Sequence, residues 1–340
     1  MPDYFSLLHS PFGAVLNGAA FCVAMEIIGN NIKPQPRKRF FVCDRTRCEN
    51  CSFECRHTLD LKYALYPEHN DWTIDSDGKL LAEDKEMNGR LEITTHIGCP
   101  MDCMDCPQAL LRSRYKGRKM MRFEDYKAAI DKVPAGTRID FSGMCEPFVN
   151  PHCTDMILYA AGKGFPLALY TTLQSATVED YERLKDVRYE VVTIHLPDKD
   201  GRSHFKITDE YLECLKLWNC DNYSCHGQID DRVLPYLKQR NLILFMHDRG
   251  GNVECRPHFN IHPDQNLWCI TSGKDMNHNV LLPDGTVLMC CMDYGMTGKF
   301  GNLFKQSYDE VLNSEPACTM RETLNQGESI CRHCTNAKRI

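Results

Sequence analysis

The sequence predicts an α/β protein: β/α units around a parallel sheet or barrel, a small cysteine-rich N-terminal module, and a C-terminal β-hairpin with a helix. Three observations predict it. Between about 89 and 264, short β-type runs alternate with runs of helical spacing. From about 265 the text changes to HNVLLPDGTVLMCC, two strand-like runs around Asp284-Gly285, and then to the helical SYDEVLNSE. Before 88, a Pro-rich basic stretch, KPQPRKRF, and a cysteine knot, CDRTRCENCSFECRH, lead into a polar connector, DSDGKLLAEDKEMNG. The expected domains are therefore 1–88, 89–264 and 265–340.

In chain order, the strands expected in the central region are LEITTH, RIDFSG, PLALYTT, YEVVTIHL and LILFMH, each a short run rich in β-branched and aliphatic residues. Between and after them, FEDYKAAIDKV, HCTDMILYAAGKG, VEDYERLKDV, TDEYLECLKLW and RVLPYLKQR carry helical spacing. In folds of this kind chemistry sits beyond the C-terminal ends of the strands. The loop HIGCPMDCMDCPQ begins there, directly after LEITTH.

Composition narrows the function classes. With 340 residues, 43% of them hydrophobic, the chain can bury a full core. A net charge of -6 supplies no global field toward nucleic acid or anionic membrane. Two basic runs, 33–40 and 112–122, read as solvated faces, although the second follows the cysteine loop closely enough to rim a site for an anionic substrate. The apolar stretch SPFGAVLNGAAFCVAMEII has no basic segment before it and is interrupted by Asn17 and Gly18. No other segment is apolar for long enough to span a bilayer. A cytoplasmic protein is expected, in which the 20 cysteines stay reduced and their clusters mean metal more often than disulfide.

Cys99, Cys103 and Cys106 stand at C-x3-C-x2-C with no fourth cysteine near them in sequence. Three thiolates from one compact loop can cap three irons of a [4Fe-4S] cube and leave the fourth open, and an open coordination position marks a reactive metal site. A zinc site completed by His96 or a distant cysteine satisfies the same spacing.

This spacing, directly after the first strand of a β/α series, resembles the signature of the radical S-adenosylmethionine (radical SAM) enzymes. The resemblance implies a partial (β/α)6 TIM-like barrel. It also implies SAM chelated to the open iron through its amino and carboxylate groups, and an electron donor such as flavodoxin or ferredoxin. Reductive cleavage of SAM would give a 5'-deoxyadenosyl radical that abstracts a substrate hydrogen. The chain departs from the family pattern at Asp105, where an aromatic residue usually precedes the third cysteine. DFSGMCEPFVNP resembles the family's Gly-Gly-Glu-Pro segment, which implies a SAM-binding role for Gly143 and Glu146. Thr172 (or Thr171) and His195, at later strand ends, correspond to positions that bind the SAM ribose and carboxylate. Cys145 would face the cofactor, where in some epimerising relatives a cysteine returns a hydrogen atom to the substrate radical.

Toward the end, Cys269, fifteen residues, Gly285, four residues and Cys290 precede Cys331-x2-Cys334. This order resembles the SPASM and twitch extensions of radical SAM enzymes and implies one auxiliary [4Fe-4S] cluster on Cys269, Cys290, Cys331 and Cys334. Cys291 is an alternative to Cys290, though the offset from Gly285 favours the latter. A four-cysteine zinc ribbon has the same spacing. Cys43, Cys48, Cys51 and Cys55 suit zinc or a third iron-sulfur cluster, in a module whose family the sequence does not reveal. The resulting expectation is a radical SAM enzyme, dehydrogenase-like toward an unidentified small molecule, peptide or nucleotide. The rival reactions are epimerisation, isomerisation, and peptide or nucleotide modification; the rival of another class is a non-catalytic zinc protein that binds partners.

Overall fold

The computed structural model describes residues 89–238, 242–244, 249–253, 267–269, 271–273, 275–323, 329–334 and 336–339, with four short strands nearer the N-terminus. The chain falls into two compact units, Met1–Trp72 and Thr73–Ile340. In the first, Cys22–Ala24 pairs antiparallel with Phe41–Cys43. In the second, Thr73–Ile74 and Leu80–Leu81 form a small hairpin ahead of the main sheet.

That sheet opens with six strands: β1 (Arg90–Ile93), β2 (Arg138–Phe141), β3 (Leu167–Thr171), β4 (Val191–His195), β5 (Asn222–Cys225) and β6 (Leu242–Leu244). They are parallel and adjacent in chain order, the arrangement that short right-handed β/α crossovers produce. After β7 (Leu267–Cys269), the strand β8 (His278–Leu281) returns to lie parallel on the free edge of β1. The strands β9 (Thr286–Leu288) and β10 (Lys299–Asn302) follow antiparallel, giving a nine-stranded sheet among the described residues. The C-terminal hairpin is thus built onto the barrel sheet itself. β7 pairs separately with β11 (Ala337–Arg339).

Register sorts the side chains of this sheet into two faces, because paired residues point the same way and alternate along each strand. Leu91, Ile93, Ile139, Phe141, Leu167, Leu169 and Ile194 share one face, all fully or almost fully buried. The helices cover it: Tyr126 of α2 (Phe123–Ile130) meets Phe141 at 6.1 Å between ring centroids. The opposite face carries Arg90, Glu92, Arg138, Asp140, Tyr170, Thr193, His195, Asn222 and Ser224. Parallel strands normally read as continuous apolar runs. Here the inner face is polar, and its charges are paired: Arg138 grips Asp140 in a bidentate bond at 2.7 and 2.8 Å.

Helical spacing becomes α2, α3 (Cys153–Gly162), α4 (Val178–Leu184) and α5 (Asp209–Leu217), each predicted. A capping box between Thr177 and Asp180 starts α4, and Thr208 caps α5. RVLPYLKQR, expected as a helix, forms only a 3-10 turn at Leu234–Tyr236, because Pro235 supplies no N–H to continue it. β5 and the helix α1 (Gln108–Arg114) have no counterpart in the predicted elements. SYDEVLNSE becomes α6 (Tyr308–Leu312), opened by a Ser307–Glu310 capping box, and α7 (Glu315–Thr323) follows. No helix among the described residues is long and apolar enough to cross a membrane.

Candidate functional site

The three-cysteine loop leaves the end of β1 and is held from both sides. Ile97 N–H donates to Lys119 O at 2.7 Å, and Met121 N–H to Thr95 O at 3.0 Å. On the far side, Met104 N–H donates to Arg202 O and His204 N–H to Met101 O, both at 2.8 Å, zipping the loop to the segment after β4. Gly98, at φ +100°, and Asp102, at φ +41°, supply the left-handed turns. Cys106 N–H donates to Cys103 O at 3.0 Å just before α1 begins.

These bonds bring the predicted ligands together. Burial pushes the Cys103 thiol well up, and the charges of Cys106 and Cys99 push in the same direction. Burial likewise raises Cys99 to about 12, with Cys145 and Glu146 as its next neighbours. A buried thiol that resists ionisation alone becomes a thiolate when a metal compensates it, so the donor set suits a thiophilic cluster. The Cys106 thiol donates to the Tyr294 hydroxyl oxygen at 3.6 Å, a contact from the β9–β10 connection that spacing did not reveal.

Facing the loop is the turn after β2. Gly143 sits at φ +58°, and a Cβ there would lie 2.3 Å from Thr94 Oγ1, so both backbone and space require glycine. The Met144 N–H donates to Thr94 Oγ1 at 3.1 Å. The Cys145 Sγ lies 3.6 Å from Thr95 Oγ1, whose own proton goes to Pro147 O at 2.8 Å; the thiol is therefore the donor, and burial lifts it to about 11. Glu146 is buried, which raises its pKa against the opposing pull of Thr171 and Thr172. Its carboxylate accepts from Thr171 Oγ1 at 2.6 Å, Thr172 Oγ1 at 2.6 Å, Thr172 N–H at 2.5 Å and Phe148 N–H at 3.3 Å. Glu146 and Thr172, singled out separately in the sequence, form one staple between the ends of β2 and β3.

His195, at the end of β4, shares a 2.9 Å contact through Nδ1 with Ser224 Oγ and lies 4.4 Å from the His226 ring. Burial holds it well below the usual imidazole range, and His226 adds to the effect. Its Nε2 is buried with no hydrogen-bond partner among the described residues. Asp105, the departure from the family pattern, is buried at 3.5 Å from Arg202 Nη1 and 3.4 Å from His226 Nδ1. Of the basic run 112–122, Arg118 and Arg122 both pair with Asp125, at 2.6 and 2.7 Å. Those two arginines are committed to the fold.

The second set of cysteines lines one recess, part of it open to solvent. Cys269 ends β7, Cys290 and Cys291 follow β9, and Cys331 and Cys334 lie in and just after the 3-10 turn Ile330–His333. All five reach the recess, among Leu267, Met276, Met292 and Ile330. Gly285, whose Cβ would meet Phe304 Cγ at 2.5 Å, fixes the hairpin that delivers Cys290. Burial drives the Cys290 thiol far up, and Cys291, Cys331 and Cys334 add to the rise. Sulfur donors around an apolar void fit an iron-sulfur cluster. Of the N-terminal set, Cys43 ends the strand Phe41–Cys43, while Cys48, Cys51 and Cys55 lie outside the described residues.

A family model for an iron-sulfur cluster-binding domain, SPASM, matches residues 269–335, a span that begins on Cys269 and runs just past Cys334. The solved structure of BtrN in complex with AdoMet and 2-DOIA resembles the chain with a TM-score of 0.52 at 16% identity, over 75% of this chain and 95% of BtrN. The C-terminal segment is thus of the SPASM type, and the fold is that of BtrN. Further solved structures match less closely. anSMEcpe with bound AdoMet has a TM-score of 0.49 at 14% identity, over 74% of this chain and 86% of that one. SuiB from Streptococcus suis bound to S-adenosylmethionine has 0.47 at 14%, over 82% and 75%. No curated protein matches. In this chain with its SPASM-type segment, sequence reasoning missed Glu92, His278, Tyr294 and His226, since polar residues inside strand-like runs and loops carry no spacing signature.

Proposed function

We propose that the protein is a radical SAM enzyme that generates a 5'-deoxyadenosyl radical and uses it to abstract hydrogen from its substrate. One observation carries the reading: three thiols gather on one loop after the first of six parallel strands, with Cys99 beside Cys145 and Glu146 of the turn after β2. Cys99, Cys103 and Cys106 would hold a [4Fe-4S] cluster there. When bound, that cluster supplies the electron that cleaves the sulfonium C–S bond of SAM. Gly143, by lacking a side chain, leaves its turn close against Thr94. Glu146 would take the SAM ammonium in exchange for a threonine hydroxyl, with Thr172 at the ribose and His195 at the carboxylate. Cys145 would face the reacting centre with a thiol that burial keeps protonated, the state that a hydrogen-atom donor needs.

Cys269, Cys290, Cys331 and Cys334 would close an auxiliary [4Fe-4S] cluster in the recess. Four protein thiolates leave no position for substrate, which supports electron acceptance and hence a net oxidation of substrate. The division into 1–88, 89–264 and 265–340, an N-terminal zinc or cluster site on Cys43, Cys48, Cys51 and Cys55, and a flavodoxin or ferredoxin donor belong to the same proposal. Anaerobically reconstituted protein, given dithionite and SAM, is expected to release 5'-deoxyadenosine, and Cys103→Ala to release none. Mass-spectrometric absence of that nucleoside from the wild type, in protein carrying its iron, would refute the proposal.

A further inference from the structure

Glu92, on the polar face of β1, is a buried carboxylate inside a strand, a placement that costs free energy unless every oxygen is answered. Its two oxygens go to different places. Oε2 accepts from Ser142 Oγ at 2.8 Å and from Gly143 N–H at 3.1 Å, the two residues that begin the turn after β2. Oε1 lies 2.7 Å from Nε2 of His278, the first residue of β8 and itself buried. Cys291 brings its sulfur into the same group, all three side chains placing a donor atom within 4.8 Å of one another. Cys291 also lines the sulfur-walled recess and directly follows Cys290 in the chain.

We infer that Glu92 is a positioning residue shared by both cysteine sites: one oxygen pins the Ser142–Gly143 turn, and the other, through His278 and Cys291, holds the segment that carries Cys290. The inference rests on the radical SAM reading and adds to it a physical link between SAM affinity and the auxiliary cluster. Register explains why the link exists. β8 pairs with β1 so that His278 aligns with Arg90 and Val280 with Glu92, which puts the imidazole and the carboxylate on one face. The turn after β2 reaches Glu92 from the other neighbouring strand, where Asp140 is its register partner. A neutral or apolar residue at 92 loosens both neighbours at once.

The test uses the full chain, reconstituted anaerobically, as wild type, Glu92→Met and Glu92→Met/His278→Leu. The double variant replaces the carboxylate–imidazole contact by apolar groups and leaves neither partner buried alone, so it folds even where the single variant does not. SAM affinity is read by equilibrium dialysis, the auxiliary cluster by the EPR spectrum of the reduced protein, and metal by iron and zinc analysis. SAM affinity is expected to fall roughly tenfold in both variants, within the usual range for coupled sites. The auxiliary-cluster spectrum shifts in both, and the double variant regains thermal stability without regaining affinity. Wild-type affinity in the double variant, or an unchanged auxiliary spectrum, overturns the inference alone. So does stoichiometric zinc in the wild type that His278→Leu removes, since the three side chains would then be metal ligands. A wild type that binds no SAM, or that shows no second cluster, ends the underlying reading and this inference with it.

Discussion

Adjacent cysteines at 290 and 291 both reach the sulfur-lined recess, yet they have different neighbours. After burial and Cys291, the charges that bear on Cys290 are those of Cys331, Asp293 and Cys334, in that order, whereas Cys291 meets Glu92 first and then Arg249. Cys290→Ala is therefore expected to lose the iron and the EPR signal of one [4Fe-4S] cluster, and Cys291→Ala to keep both. Equal losses in the two variants, by iron analysis, would contradict this division. The spacing from Gly285 already favoured Cys290, because a glycine that neighbouring side chains leave no room to replace fixes the hairpin register. Cysteines were legible in the sequence because ligand spacing survives in the text. Glu92 and His278 were not: each is a lone polar residue, and only strand pairing puts them together. Asp105 was read as a missing aromatic, and its Arg202 and His226 neighbours come from segments about a hundred residues away.

Elements were read best where one physical signal decided them. The strands β1 to β4 and the helices α2 to α5 follow from periodicity that no residue opposes. β5, with the sequence NYSC, was missed because its Asn222 and Ser224 turn to the polar inner face, where alternation carries no hydrophobic signal. RVLPYLKQR failed as a helix for the opposite reason, since Pro235 outweighs its spacing. The polar face also has an energetic consequence. Arg138 and Asp140 are both nearly inaccessible, and removing one partner strands a buried charge, at about 3–5 kcal/mol. Arg138→Met is expected to lower the denaturant midpoint of the folded chain accordingly, and Arg138→Met/Asp140→Leu to recover most of the loss. A single variant as stable as wild type would show that the pair is open to solvent.

For the molecule as a whole, one sheet carries both cysteine sites. β1 delivers the three-cysteine loop, β2 the facing turn, and the β8–β9 hairpin, laid along the edge of β1, delivers Cys290. The order of these motifs along the chain was plain from the sequence, but the continuity of the sheet was not, because β8 pairs with a strand almost two hundred residues earlier. The central claim is that three protein thiolates leave one iron at the barrel mouth for SAM. EPR of the reduced Cys290→Ala variant, which keeps only the barrel cluster of the two, tests it most directly. Addition of SAM is expected to shift the signal of that cluster, and Cys103→Ala in the same background to abolish it. A signal that SAM leaves unchanged, in protein shown to hold four irons at this site, would mean that the cluster is closed by the chain itself and would contradict the account.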